Sequence, residues 1–136
     1  MSRQRSILVI DDEAHITHVL AMKLRNAGYR VFTAADGEEG FETARQVKPD
    51  IIITDMWMPY MTGAELCAKL RSTPSTHDVP VLVLTARGHA FDQSDLEQPN
   101  VFGVLSKPFS PREVLAKVEA ILKDIVSNDE KHGEAA

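Results

Sequence analysis

Five residues, Asp11, Asp12, Asp55, Thr85 and Lys107, carry the chemistry that this chain most readily supports. Asp11, Asp12 and Glu13 stand in a row after the apolar run at 7–10 (ILVI). Asp55 follows IIIT at 51–54, Thr85 follows VLVL at 81–84, and Lys107 follows VFGVLS at 101–106. Two carboxylates about 4 Å apart repel by roughly 4 kcal/mol at the effective dielectric of a protein edge, so gathered acids call for a positive partner. Three carboxylates make a site for a hard divalent cation. Mg²⁺ fits best, because it accepts a few carboxylates and keeps waters for phosphate oxygens. Together with Lys107 it would offset the acids. Each residue also has an ordinary reading: Asp11 and Asp12 as helix caps, Asp55 as a loop acid, Thr85 as a cap, Lys107 as a solvated cation. What sets them apart is that each directly follows an apolar run or, for Asp12, the acid that does.

Those runs must position the residues. They are five, at 7–10, 30–34, 51–54, 81–84 and 101–106. Their hydrophobicity is continuous rather than alternating, as in strands buried on both faces. Between the first two, Ile16, Val19, Leu20, Leu24 and Ala27 keep the i, i+3, i+4 spacing of an amphipathic helix, and Gly28 is placed to end it. Asp36 with Glu39, and Thr62 with Glu65, have capping-box spacing, and Pro49 closes the second helical segment. Ser110, Pro111 and Glu113 start a last helix whose stripe is Val114, Leu115, Val118, Ile121, Leu122 and Ile125. The segment at 88–100 has few apolar anchors and predicts a short fourth helix, stopped by Pro99. Five strands alternating with five helices predict an α/β, doubly wound parallel sheet with right-handed crossovers. Such sheets bind ligands beyond the carboxyl ends of their strands, where all five residues would lie.

With 136 residues the chain has room for one domain, expected over residues 1–126, with 127–136 a polar tail or the start of a linker. A net charge of −5 argues against a nucleic-acid surface, which needs clustered Lys and Arg. No apolar stretch approaches the ~20 residues that span a bilayer. The single cysteine, Cys67, cannot form an internal disulfide, and a cytoplasmic setting is expected.

The chain resembles the receiver domain of bacterial two-component response regulators over about residues 5–125. The resemblance is carried by VIDDE at 9–13, ITDMWMPYMTG at 53–63, LTA at 84–86 and SKPFSP at 106–111. It implies the flavodoxin-like strand order 2-1-3-4-5. It also implies that Asp55 takes a phosphoryl group from a sensor histidine kinase or a phosphotransfer protein. Mg²⁺ would be held by Asp12, Asp55 and the carbonyl of Trp57, with Asp11 acting through water. Lys107 would pair with the phosphoryl group and Thr85 would donate its hydroxyl. The Lys107–Pro108 bond is the candidate for a cis peptide. Such a module catalyses only its own phosphorylation and dephosphorylation. It would signal to an effector protein or a fused output domain, or form a homodimer on phosphorylation, through the face made by the fourth helix, the fifth strand and the last helix.

Some positions depart from the family pattern. Val104 stands where receivers usually carry a switching aromatic, and Phe102 lies two residues earlier on the same expected face. Trp57 and Arg87 occupy positions where receivers tune hydrolysis, and an indole and a guanidinium there predict a long-lived phosphorylated state. His15 and His18 share a helix face without a third ligand and read as surface residues; Cys67 reads as packing, and Met56, Met58 and Met61 as filling. Two alternatives remain. One is a degenerate receiver acting as an interaction module, against which the complete set of acids, Thr and Lys argues. The other is a haloacid-dehalogenase-type phosphatase, which needs a second acid where Trp57 stands.

Overall fold

In a computed structural model, residues 4–86 and 93–135 are described. Five parallel strands, β1 (Ser6–Ile10), β2 (Arg30–Ala34), β3 (Ile51–Asp55), β4 (Val81–Thr85) and β5 (Val101–Ser106), form one sheet in the order β2-β1-β3-β4-β5. The order is the one that the resemblance implies. Helices α1 (Ala14–Asn26), α2 (Gly37–Val47), α3 (Gly63–Arg71) and α4 (Pro111–Ala135) cover its two faces.

Strand alternation explains the unbroken apolar runs. Leu8, Ile10, Ile52 and Val83 pack with Phe41 and Ala44 of α2 and Leu66, Cys67 and Leu70 of α3. Their neighbours Ile7, Val9, Ile53 and Leu84 pack on the other face with Leu20 and Leu24 of α1 and Val114, Val118 and Leu122 of α4. Successive side chains point to opposite faces, so a strand covered on both sides needs apolar residues throughout.

The local signals act as expected. Gly28, at φ +101°, ends α1: its N–H donates to the Arg25 carbonyl and that of Tyr29 to the Leu24 carbonyl, a Schellman arrangement. Thr62 and Glu65 form a complete capping box. Asp36 accepts from the Glu39 N–H, but the Glu39 carboxylate reaches one residue further, to the N–H of Ala35.

Three features differ from the expectation. Among the described residues, the segment expected to hold the fourth helix forms a 3-10 turn at Gln93–Leu96; its residues 88–92 lie outside the described residues. The backbone of α4 continues to Ala135, across the stretch expected to be a tail. That stretch lacks an apolar stripe, but half of its residues are good helix formers and it holds no proline, so a helix can run on from the packed segment. The β4–β5 register slips, because Val81 pairs with Val101 but Leu82 with Gly103. Phe102 therefore sits in a bulge, and both it and Val104 are exposed. No described helix is long and apolar enough to cross a membrane.

Candidate functional site at the carboxyl rim of the sheet

β1, β3, β4 and β5 end at one rim, and backbone bonds carry the ladder one residue beyond them. The Asp11 N–H donates to the Ala34 carbonyl at 3.1 Å, that of Met56 to Leu84 at 2.8 Å and that of Lys107 to Thr85 at 2.7 Å. Parallel register thus turns residues separated by dozens of positions into neighbours. Carboxylate oxygens of Asp11, Asp12 and Asp55 all lie within 4.8 Å of one another. Lys107 Nζ lies 3.2 Å from Asp55 Oδ1. Asp11 and Asp55 are buried and Asp12 is exposed, so the cluster opens to solvent on one side. Thr85 is buried beside it, one residue beyond the β3–β4 pair of Asp55 with Leu84. The Lys107–Pro108 peptide is cis.

The electrostatics follow from burial. Desolvation, opposed by the hydrogen bond from the Glu13 N–H and reinforced by the Asp55 charge, pushes the Asp11 carboxyl up to about 6. Desolvation also raises Asp55, although Lys107 pulls the other way, and Asp12 and Glu13 add to the rise. Lys107 loses solvation too, but Asp55, Asp11 and Glu13 outweigh that loss and raise it. The two acids are short of counter-charge, whereas Lys107 is surrounded by it.

The ordinary reading of the paired acids as helix caps does not hold. The N-cap of α1 is Glu13, and no side chain caps that helix. Asp11 Oδ1 instead accepts the Glu13 N–H at 2.9 Å, while its buried Oδ2 has no hydrogen-bond partner among the described residues. A buried carboxylate oxygen without a donor is costly unless a cation meets it. Oxygen-only donors and a surplus of negative charge suit a hard divalent ion.

Other candidates resolve as packing. His15 and His18 are exposed on α1. Cys67 is buried, and desolvation pushes its thiol up to about 12, so it is inert. Met56 and Met58 are buried, and Met61 and Trp57 pack against the layer under α2 and α3. Arg87 lies outside the described residues.

Two features of the site escape sequence reading. Glu13 Oε1 lies 3.9 Å from Lys107 Nζ, a contact that no local pattern signals. Tyr60 has φ 71° and is fully exposed, within a three-residue turn closed by the Met61 N–H on the Pro59 carbonyl at 2.8 Å. Left-handed backbone costs a non-glycine residue roughly 1–2 kcal/mol. Part of the relief from glycine is offset by the greater freedom of the unfolded chain. Tyr60→Gly is accordingly expected to stabilise the protein by about 0.5–1 kcal/mol in urea unfolding. A loss of stability would mean that the tyrosine side chain contributes packing.

Comparison with known proteins places this geometry. The family model of the response regulator receiver domain matches residues 7–119. The chain is 39% identical to the alkaline phosphatase synthesis transcriptional regulatory protein PhoP of Bacillus subtilis, over 96% of this chain and 57% of that protein. It is 38% identical to the DNA-binding dual master transcriptional regulator RpaA of Synechocystis, over 94% of this chain and 54% of that protein. The chain thus spans about half the length of the curated relatives it matches. Among solved structures, the chemotaxis response regulator CheY4 of Vibrio cholerae superposes with a TM-score of 0.80 at 32% identity, covering 88% of this chain and 99% of that one. A receiver domain protein from Clostridium thermocellum gives 0.77 at 26% identity, covering 88% and 95%.

Proposed function

The chain belongs to the response regulator receiver family of two-component signal transduction, and we propose from that premise that Asp55 is its phosphoacceptor. The observation that carries the proposal is the contact of Asp55 with Lys107 at 3.2 Å, inside a cluster of three carboxylates. An acid held against a cation on one side and acids on the other needs more positive charge than the chain itself supplies.

In this reading an Asp55 carboxylate oxygen attacks the phosphorus of a phosphohistidine on a sensor kinase or phosphotransfer protein. The P–N bond breaks and the imidazole leaves with the electron pair. Phosphoryl transfer asks mainly for positioning and for compensation of charge on the equatorial oxygens. Asp12, Asp55 and the Trp57 carbonyl would hold Mg²⁺, with Asp11 acting through water, and the ion would supply that compensation on one side. Lys107 supplies it on the other, as a point charge on a flexible stem. Thr85 contributes a hydroxyl that donates to a phosphoryl oxygen. The aspartyl phosphate then changes the outer surface that carries Phe102 and Val104, which an effector protein or a fused output domain reads. Relatives named as transcriptional regulators favour an output on gene expression through such a partner.

Acetyl phosphate with Mg²⁺ tests the reading by intact mass. One phosphoryl adduct is expected on the wild-type chain and none on Asp55→Asn. An unchanged wild-type mass would overturn it and favour an interaction module that works without phosphorylation. Trp57 is expected to shield the acyl phosphate, so the adduct should outlast a minutes-long chase. Decay within seconds would reject that part.

A further inference from the structure

Lys107 stands between two carboxylates of opposite exposure. Its Nζ is 3.2 Å from Asp55 Oδ1, on a side chain 6% exposed, and 3.9 Å from Glu13 Oε1, on a side chain 61% exposed. The backbones behind these groups are fixed. The Lys107 N–H is tied to the Thr85 carbonyl. The Glu13 N–H is tied to Asp11 Oδ1, and its carbonyl accepts from Ile16 and Thr17 in the first turn of α1. The freedom left is in the two side-chain ends, and that of Glu13 swings from an anchor that also holds Asp11 of the acid cluster.

We propose that Glu13 is a positioning residue for Lys107, an outer tether that holds the ammonium at the rim and competes with the phosphoryl group for it. The inference rests on Asp55 being the phosphoacceptor. A phosphoryl group on Asp55 places its oxygens beyond the present carboxylate, and the ammonium has to turn toward them. Glu13 opposes that turn in two ways. It draws the ammonium toward solvent as an ion-pair partner at 3.9 Å, and it sets a negative charge beside an incoming anion. Toward a cation the sign reverses, because the same carboxylate deepens the negative field around Asp11, Asp12 and Asp55. A single neutral substitution therefore separates the roles: Glu13→Gln weakens the cation and strengthens the anion.

The experiment uses the full chain, with Trp57, its one tryptophan, as reporter. Mg²⁺ is titrated first, then beryllium fluoride at saturating Mg²⁺. Exposed ion pairs are modest, so Glu13→Gln is expected to tighten the beryllium fluoride midpoint by about two- to fivefold. It should loosen the Mg²⁺ midpoint by a factor of about two. Glu13→Asp distinguishes contact from charge, since it keeps the charge but falls a methylene short of Lys107. If the tether acts through contact, Glu13→Asp follows Glu13→Gln in the fluoride titration. Glu13→Asp behaving like wild type, or an unchanged or weaker fluoride midpoint in Glu13→Gln, overturns the tether while leaving the phosphoacceptor reading intact. A wild-type chain that does not respond to beryllium fluoride at all removes both.

Discussion

Asp11→Asn is expected to stabilise the metal-free protein at pH 7.5 by about 1–3 kcal/mol while weakening its response to Mg²⁺. Asp11 is 2% exposed, and its carboxyl is raised to about 6 by desolvation first and then by the neighbouring Asp55 charge. In the unfolded chain it titrates near its ordinary value of about 3.9. Well below about pH 4 it is protonated in both states and costs nothing. As pH rises toward 6 the unfolded state releases its proton before the native state does, so stability falls across that window and stays low above it. Two pKa units correspond to about 3 kcal/mol, an upper bound on what the substitution recovers. Asn keeps an oxygen that accepts the Glu13 N–H, so the loop need not change. Asp55 is raised for the same reason and acts in the same direction. The measurement is urea unfolding of wild type and Asp11→Asn in EDTA at pH 5 and 7.5, repeated with Mg²⁺. The gap between the two proteins should open with pH in EDTA and close or reverse with Mg²⁺. A gap that stays constant with pH would show that Asp11 is solvated in the native protein.

Gly63→Ala is expected to destabilise the protein by about 1–3 kcal/mol, the range for forcing extra atoms into a packed site. It should also weaken Mg²⁺ binding, although Gly63 is no ligand. The first residue of α3 comes so close to the end of β3 that a Cβ would lie 2.7 Å from the Asp55 carbonyl oxygen and 3.0 Å from Met56 Cα. Both are backbone atoms, so no rotamer change relieves the clash. The helix start and the end of β3 must separate, at the expense of the 2.8 Å bond from the Gly63 N–H to the Met56 carbonyl. Because the obstructed carbonyl belongs to Asp55 itself, the displacement reaches the acid cluster. Gly103→Ala is the control. Its Cβ would meet only side-chain ends, Leu82 Cδ1 at 3.2 Å and Ile121 Cδ1 at 3.3 Å. Mg²⁺ titration and thermal melting of the two variants should therefore part: both lose some stability, and only Gly63→Ala loses affinity for the ion. Equal Mg²⁺ affinities would mean that the loop absorbs the methyl group without moving Asp55.

What the sequence determines here is what depends on near neighbours along the chain. Runs such as ILVI and IIIT, short and bounded by turn signals, fit strands covered on both faces, and the Thr62–Glu65 and Gly28 signals act within a few residues of themselves. The repeated ending of an apolar run in a charged or hydroxyl residue locates Asp11, Asp55, Thr85 and Lys107 at one edge, because parallel strands with helical crossovers all end there. The segment at 88–100 and the stretch after Ser127 are read less well. With few apolar anchors, their conformation depends on propensity and context rather than on pattern.

The tertiary structure alone decides which of those residues touch and how much water they keep. The contact of Asp55 with Lys107 and the reach of Glu13 to Lys107 each join segments far apart in the chain, and packing around the rim leaves Asp11 Oδ2 buried without a partner among the described residues. Residue type cannot convey them, since the free energy of a carboxylate depends on its burial and on the charges around it. Gly63 shows the same limit: its φ lies outside the left-handed region that favours glycine, and only the approach of β3 to α3 excludes a side chain there.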